Sequence, residues 1–168
     1  MKWIRLFWVA LFAAIILTGC GPTVQHHHEN SKTGQISDNI LDEMEGPPKN
    51  GHTLERHVGK SNDELQKRVK SSHVSAASTY YDKKTATKAV LESLHIHEQE
   101  IEHWLEKSNR DRLVLKTHHS FAVGKTVLRS DLRVHEELHD TITVLAKDPS
   151  SDLKYKIITS YPFLKRGR

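Results

Sequence analysis

A single cysteine, Cys20, is all the thiol this chain of 168 residues contains. Beyond residue 20 there is no disulfide framework, no cysteine nucleophile and no sulfur ligand for a metal. Aromatic residues are scarce at 7%, and two of the three tryptophans, Trp3 and Trp8, fall in the first ten residues. Trp104 is then the one indole left for a folded core. The 8 glycines form no phosphate-cradling loop, and neither a G-x-S-x-G elbow nor a paired-carboxylate arrangement occurs. No internal repeat is visible. Long apolar runs are confined to one place, Leu6 to Leu17.

That run follows Lys2 and Arg5 and is about 12 residues long, the layout of a secretory signal and too short for an ordinary membrane-spanning helix. It ends in Leu17-Thr18-Gly19-Cys20. This looks like a bacterial lipobox, in which the cysteine is diacylated and becomes the mature N-terminus. Residues 1–20 are thus expected to be a lipoprotein signal peptide, with Cys20 anchoring the chain to the bacterial cell membrane on its extracytoplasmic side. From Gly21 to Asn50 the composition is polar, with too little apolar surface to offset ordering entropy. We read residues 21–50 as a flexible tether and His26, His27 and His28 as solvated spacer. The tether has two basic and five acidic residues, hence −3, whereas residues 51–168 have 21 basic and 16 acidic residues, hence +5. A positive domain of this size, with room for one core, is compatible with an anionic substrate.

Within residues 51–168 the first half reads helical. Ser61 and Glu64 form an S-x-x-E capping box, so Gly59 and Lys60 end one short helix and Ser61 starts another reaching about Val69. Residues 71–79 read as loop. Asp82 can cap a helix carrying Ala89, Val90 and Leu94, and Ile101, Trp104 and Leu105 share a face of the next. After Asn109 the period falls to two. Residues 112–123 and 126–129 read as strands around a Gly124-Lys125 turn, followed by a hairpin of residues 139–148 and 153–163. In the last strand Leu153, Tyr155, Ile157, Thr159 and Tyr161 fall on one face. Helices first and an antiparallel sheet second predict an α+β domain.

The 13 histidines invite several readings. His135-Glu136-Glu137-Leu138-His139 is formally H-E-x-x-H, a zinc-hydrolase pattern when it lies on a helix. Here it abuts a β-rich run and lacks an obvious third ligand, so we assign no cofactor or metal. His118 and His119 face opposite ways on a strand, one to the surface and one toward the sheet. His95 and His97 read as surface groups at a helix joint. His57 and Arg68 are separated by 11 residues, about 16 Å apart on a continuous helix. The break at Gly59 lets two helices turn both side chains toward one cleft. There His57 would exchange protons and Arg68 would hold an oxyanion, or both are simply cap and surface residues. His52 and Arg56 read as surface or structural.

Taken together, HTLERHVGKSNDELQKRV, STYYDKKTATKAV, GKTVLR and YKIITSYPF resemble the RNase A-like toxin domain of bacterial contact-dependent growth inhibition proteins (the CdiA C-terminal RNase A-like family). The resemblance runs from about Gly51 to Phe163. It implies a pancreatic-ribonuclease-like α+β fold without disulfides, N-terminal helices packed on an antiparallel sheet; we expect a monomer. It implies metal-independent RNA cleavage by attack of the 2′-OH, with no cofactor, and a cognate immunity protein as partner. By motif position the catalytic set it implies is His57, Arg68, Thr159 and Tyr161. His57 would be the base and Arg68 the cation; Thr159 and Tyr161 would hold non-bridging oxygens or position His57. The proton donor is left open among Tyr161, His118 and His119. The alternative is a non-catalytic surface lipoprotein that uses the fold to bind RNA or a protein.

Overall fold

The computed structural model describes residues 36–165. Five helices and six strands appear among them in the order α1 (Ile40–Met44), α2 (Thr53–His57), α3 (Asn62–Ser71), β1 (Ala76–Tyr80), α4 (Lys83–Ile96), α5 (Glu98–Lys107), β2 (Arg112–His118), β3 (Gly124–Leu128), β4 (Val134–Leu138), β5 (Asp140–Lys147) and β6 (Tyr155–Phe163). The strands form two antiparallel sheets, ordered β1-β3-β4 and β2-β5-β6. The domain is α+β.

Local chemistry sets the helix starts. Ser61 Oγ accepts from Glu64 N–H, and Glu64 returns a carboxylate oxygen to Ser61 N–H, completing the expected capping box. Asp82 accepts from Thr85 N–H and opens α4. Ala86, Ala89, Val90, Ser93 and Leu94 bury one face of α4, and Ile101 and Trp104 do so for α5. Apart from Ser93, these side chains meet Leu115, Leu145, Tyr155 and Ile157 in the main core. The sheets are also joined by polar groups. Tyr80 Oη on β1 lies 2.6 Å from Ser160 Oγ on β6, and Ser160 meets Thr143 Oγ1 at 2.8 Å. Both bonds are buried, where satisfied polar groups fix one arrangement.

The structure departs from expectation at four places. Residues 36–50, read as tether, pack on the domain: Ile40, Leu41 and Met44 of α1 are buried in the main core. Their spacing buries one side of a short helix inside an otherwise polar stretch. Residues 76–79, read as loop, belong to β1, whose Ser78 and Thr79 are buried and hydrogen-bonded. A buried strand of alanine, serine and threonine carries no apolar alternation to reveal it. Gly124-Lys125 is no turn. Gly124 opens β3 opposite Tyr80, and a Cβ there would lie 2.1 Å from Thr79 carbonyl oxygen, so only glycine admits this approach. β2 and β3 accordingly belong to different sheets.

The fourth departure concerns β6. Val144 pairs with Thr159 but Leu145 pairs with Ile157, so Ile158 is an extra residue in a β-bulge. Cross-strand partners share a face, so Ile157 and Ser160 sit with Leu145 and Thr143 toward the core. Thr159 and Tyr161 do share a face, but it is the one opposite Tyr155 and Ile157. The bulge flips the strand at the point where it meets α2.

Candidate active site

Five residues are too few for a helix to stand alone, so α2 depends on its anchors. His52 N–H donates to Ile158 carbonyl at 3.1 Å, and Ser160 N–H donates to Thr53 Oγ1 at 2.9 Å, fastening the start of α2 to the bulged part of β6. Leu54 and Glu55 N–H donate to the Glu45 carboxylate at 2.9 and 2.8 Å. At the far end Gly59 turns the chain with φ 66, a conformation that costs a side-chain-bearing residue about 1–2 kcal/mol. Gly59 N–H donates to Tyr80 carbonyl and Lys60 N–H to Thr79 Oγ1, so the turn rests on β1.

The turn sends α3 back past α2. Arg68 Nη1 donates to Arg56 carbonyl at 3.1 Å, using an acceptor left open in the last turn of α2. His57 and Arg68 thereby line one cavity of about 740 Å³, together with Thr159 and Tyr161 from β6. All four residues of the expected set meet in this pocket. Val74, Leu128, Phe163 and Leu164 add apolar lining.

His57 is 8% exposed, and its Nδ1 lies 3.0 Å from Ser78 carbonyl oxygen on β1. A carbonyl only accepts, so Nδ1 carries the proton and Nε2 the lone pair. Burial takes the imidazole pKa down to about 4; the Ser78 carbonyl opposes this, and Arg68, His52 and Arg56 add to it. At neutral pH His57 is an uncharged base of fixed tautomer. Tyr161 stacks on it with ring centres 5.1 Å apart and planes at 29°, and burial raises its phenol pKa. Thr159 Oγ1 is buried and has no hydrogen-bond partner. Buried hydroxyls are normally paired, and this orphan belongs to a residue that lines the pocket together with Arg68.

His52 also lines the pocket, its ring 6.4 Å from that of His57. Sequence reasoning set it aside as surface or structural. Helical periodicity could not retrieve it, because five residues along a helix are about 140° apart. Its position follows from the Ile158 contact, and Ser78 contributes through its backbone, which no side-chain pattern announces.

Other histidines lie elsewhere. His119 is fully buried and engaged at both nitrogens, with Glu92 Oε2 and Thr141 Oγ1 each at 2.9 Å. His118 is exposed, pairs with Asp140 at 3.2 Å and stacks on His139. Neither lines the pocket, which removes both from the open choice of proton donor. The H-E-x-x-H stretch is β4 and the residue after it, not a helix; Glu137 has φ 55, His135 bonds Asp131 and His139 bonds the His119 carbonyl. Among the described residues no group of three or more His, Cys, Asp or Glu is placed to hold a metal ion.

The family model described as the bacterial CdiA-CT RNase A domain matches residues 51–162, a span that holds His52, His57, Arg68, Thr159 and Tyr161. A crystal structure of a CdiA-CT/CdiI complex from Y. kristensenii superposes with a TM-score of 0.65 at 32% identity, covering 68% of this chain and 100% of that one. No curated protein matches. The match spans more than half of the sequence, and the chain belongs to the family of bacterial CdiA-CT RNase A domains.

Proposed function

We propose that this domain is a metal-independent endoribonuclease. The observation that carries the reading is the meeting, in one arginine-bearing pocket, of a neutral His57 with its Nε2 free and a Thr159 hydroxyl that lacks a partner. His57 Nε2 takes the proton of a ribose 2′-OH, and the freed oxygen attacks the adjacent phosphorus. The bond to the 5′-oxygen breaks with its electron pair, that oxygen takes up a proton and leaves as a hydroxyl, and a 2′,3′-cyclic phosphate remains. Arg68 balances the charge that develops on the phosphoryl oxygens, and Thr159 donates to one of them. A donor of this kind is worth about 3–4 kcal/mol of barrier. Tyr161 holds the imidazole plane from one side. Only RNA supplies the 2′-OH, so DNA is not cut.

The crystallised relative is in complex with CdiI. By analogy this domain acts as an antibacterial toxin, blocked by a cognate immunity protein. Cys20 lies outside the described residues; we place the lipid anchor there, and the domain outside the cytoplasm. The test is RNA degradation by the full-length chain, purified in detergent, with excess EDTA. Cleavage that leaves cyclic phosphate ends and disappears in His57→Ala supports the reading. RNA binding without turnover would instead make the domain a binding module.

A further inference from the structure

His52 has no role in the mechanism above, yet it faces the same cavity. It stands at the N-cap position of α2 without using its ring to cap the helix, and the ring has no hydrogen-bond partner among the described residues. Its main chain is fixed, because its N–H is bonded to Ile158 in the bulge next to Thr159. The imidazole is therefore held at the pocket and left unused by the fold.

His52 and His57 stand side by side at the pocket. Their ring centres are 6.4 Å apart with planes inclined at 40°. That is too far for the rings to bond each other. It leaves room for one phosphoryl group between them, each ring within about 2.6–3.2 Å of an oxygen.

We propose that His52 is the proton donor to the departing 5′-oxygen, acting opposite His57. The inference rests on the ribonuclease reading of this pocket. As the bond from phosphorus to the 5′-oxygen breaks, its electron pair takes the proton from His52, which becomes neutral. The 2′-OH proton passes to His57, so one proton is lost and one gained, and the pair resets by exchange with water.

Other groups in the pocket serve less well. A proton donor is most effective when its pKa lies near the working pH. Tyr161 covers the face of His57, and burial moves its phenol further above neutrality. Arg68 does not release a proton. Imidazole is the side chain that titrates in the right range. At His52 burial lowers the pKa first, helped by Arg56 and Arg68, while Glu45 and Glu55 oppose. Both imidazoles are thus lowered from their ordinary value, His57 to about 4. RNA cleavage should therefore be fastest on the acid side of neutrality.

The experiment compares the full-length chain, His52→Ala and His52→Gln on two substrates over pH 4–8. One is a set of dinucleotides; the other is the matching nucleoside 3′-(4-nitrophenyl phosphates), whose leaving group needs no proton. We expect both variants to lose about 10²–10⁴-fold on dinucleotides and less than about threefold on the nitrophenyl esters. We also expect the alkaline fall of the dinucleotide profile to be absent with the esters. Equal loss on both substrates would reduce His52 to a structural residue, and undiminished dinucleotide cleavage would remove it altogether. A wild-type chain that cuts neither substrate would overturn the ribonuclease reading and the role of His52 with it.

Discussion

Thr159→Val separates stability from activity in opposite directions. The substitution keeps the branched shape and replaces a hydroxyl that is buried without a partner. Such an orphan costs about 1–3 kcal/mol, so its removal is expected to stabilise the domain by roughly 1 kcal/mol. For a domain of about 130 residues that corresponds to a Tm rise of about 3–5 °C. The same hydroxyl donates to the phosphoryl oxygens in our account, and its loss should lower kcat about 10²-fold or more. Thr143→Val is the control, because Thr143 Oγ1 is bonded to Ser160 Oγ at 2.8 Å. That variant should lose about 1–3 kcal/mol. Thermal melts and RNA-cleavage rates on the three proteins decide the matter. A Thr159→Val protein that melts lower and cuts at the wild-type rate would refute the reasoning.

Two further outcomes follow from the pocket. His57 has its pKa lowered on folding, from about 6.5 to about 4, so between those values the unfolded chain binds a proton that the folded one refuses. Stability is full above pH 6.5, falls by about 3 kcal/mol on going to pH 4 and levels below it, and urea titrations should show this slope reduced in His57→Gln. Arg68→Lys keeps the charge but not the planar fork that bonds the Arg56 carbonyl while facing the pocket, so we expect kcat to fall about 10²-fold with the melting curve shifted little.

Sequence chemistry revealed the parts of this fold that have local signals. The Ser61–Glu64 box, the Asp82 cap and the Ile101–Trp104 stripe each name a helix through a hydrogen bond or a period of 3.6. The β5–β6 hairpin shows its alternation. β1 stayed hidden because it is buried on hydrogen-bonded hydroxyls instead of large apolar side chains. The bulge at Ile158 was equally silent, since one inserted residue leaves the apolar spacing of each half intact while exchanging their faces. Thr159 and Tyr161 were expected together on a face and are together, but on the face that meets α2 and not the one that meets the core. His57 and Arg68 share a pocket because Gly59 turns the chain, and that break was readable. His52 was not, because a contact with β6, remote in sequence, places it.

The pocket also shows why the preceding segment matters. Glu45, outside the stretch matched by the family, holds the start of the helix that ends in His57. A chain cut at Gly51 would lose that carboxylate together with Ile40, Leu41 and Met44 from the core.

The central claim is that His57 activates a ribose 2′-hydroxyl without a metal. A DNA oligonucleotide carrying one ribonucleotide, incubated with the full-length chain in EDTA, tests it most directly. The account requires a single cut on the 3′ side of the ribonucleotide, leaving a 2′,3′-cyclic phosphate, and no cut by His57→Ala. Cleavage at deoxynucleotides, dependence on added metal, or full activity in His57→Ala would contradict it.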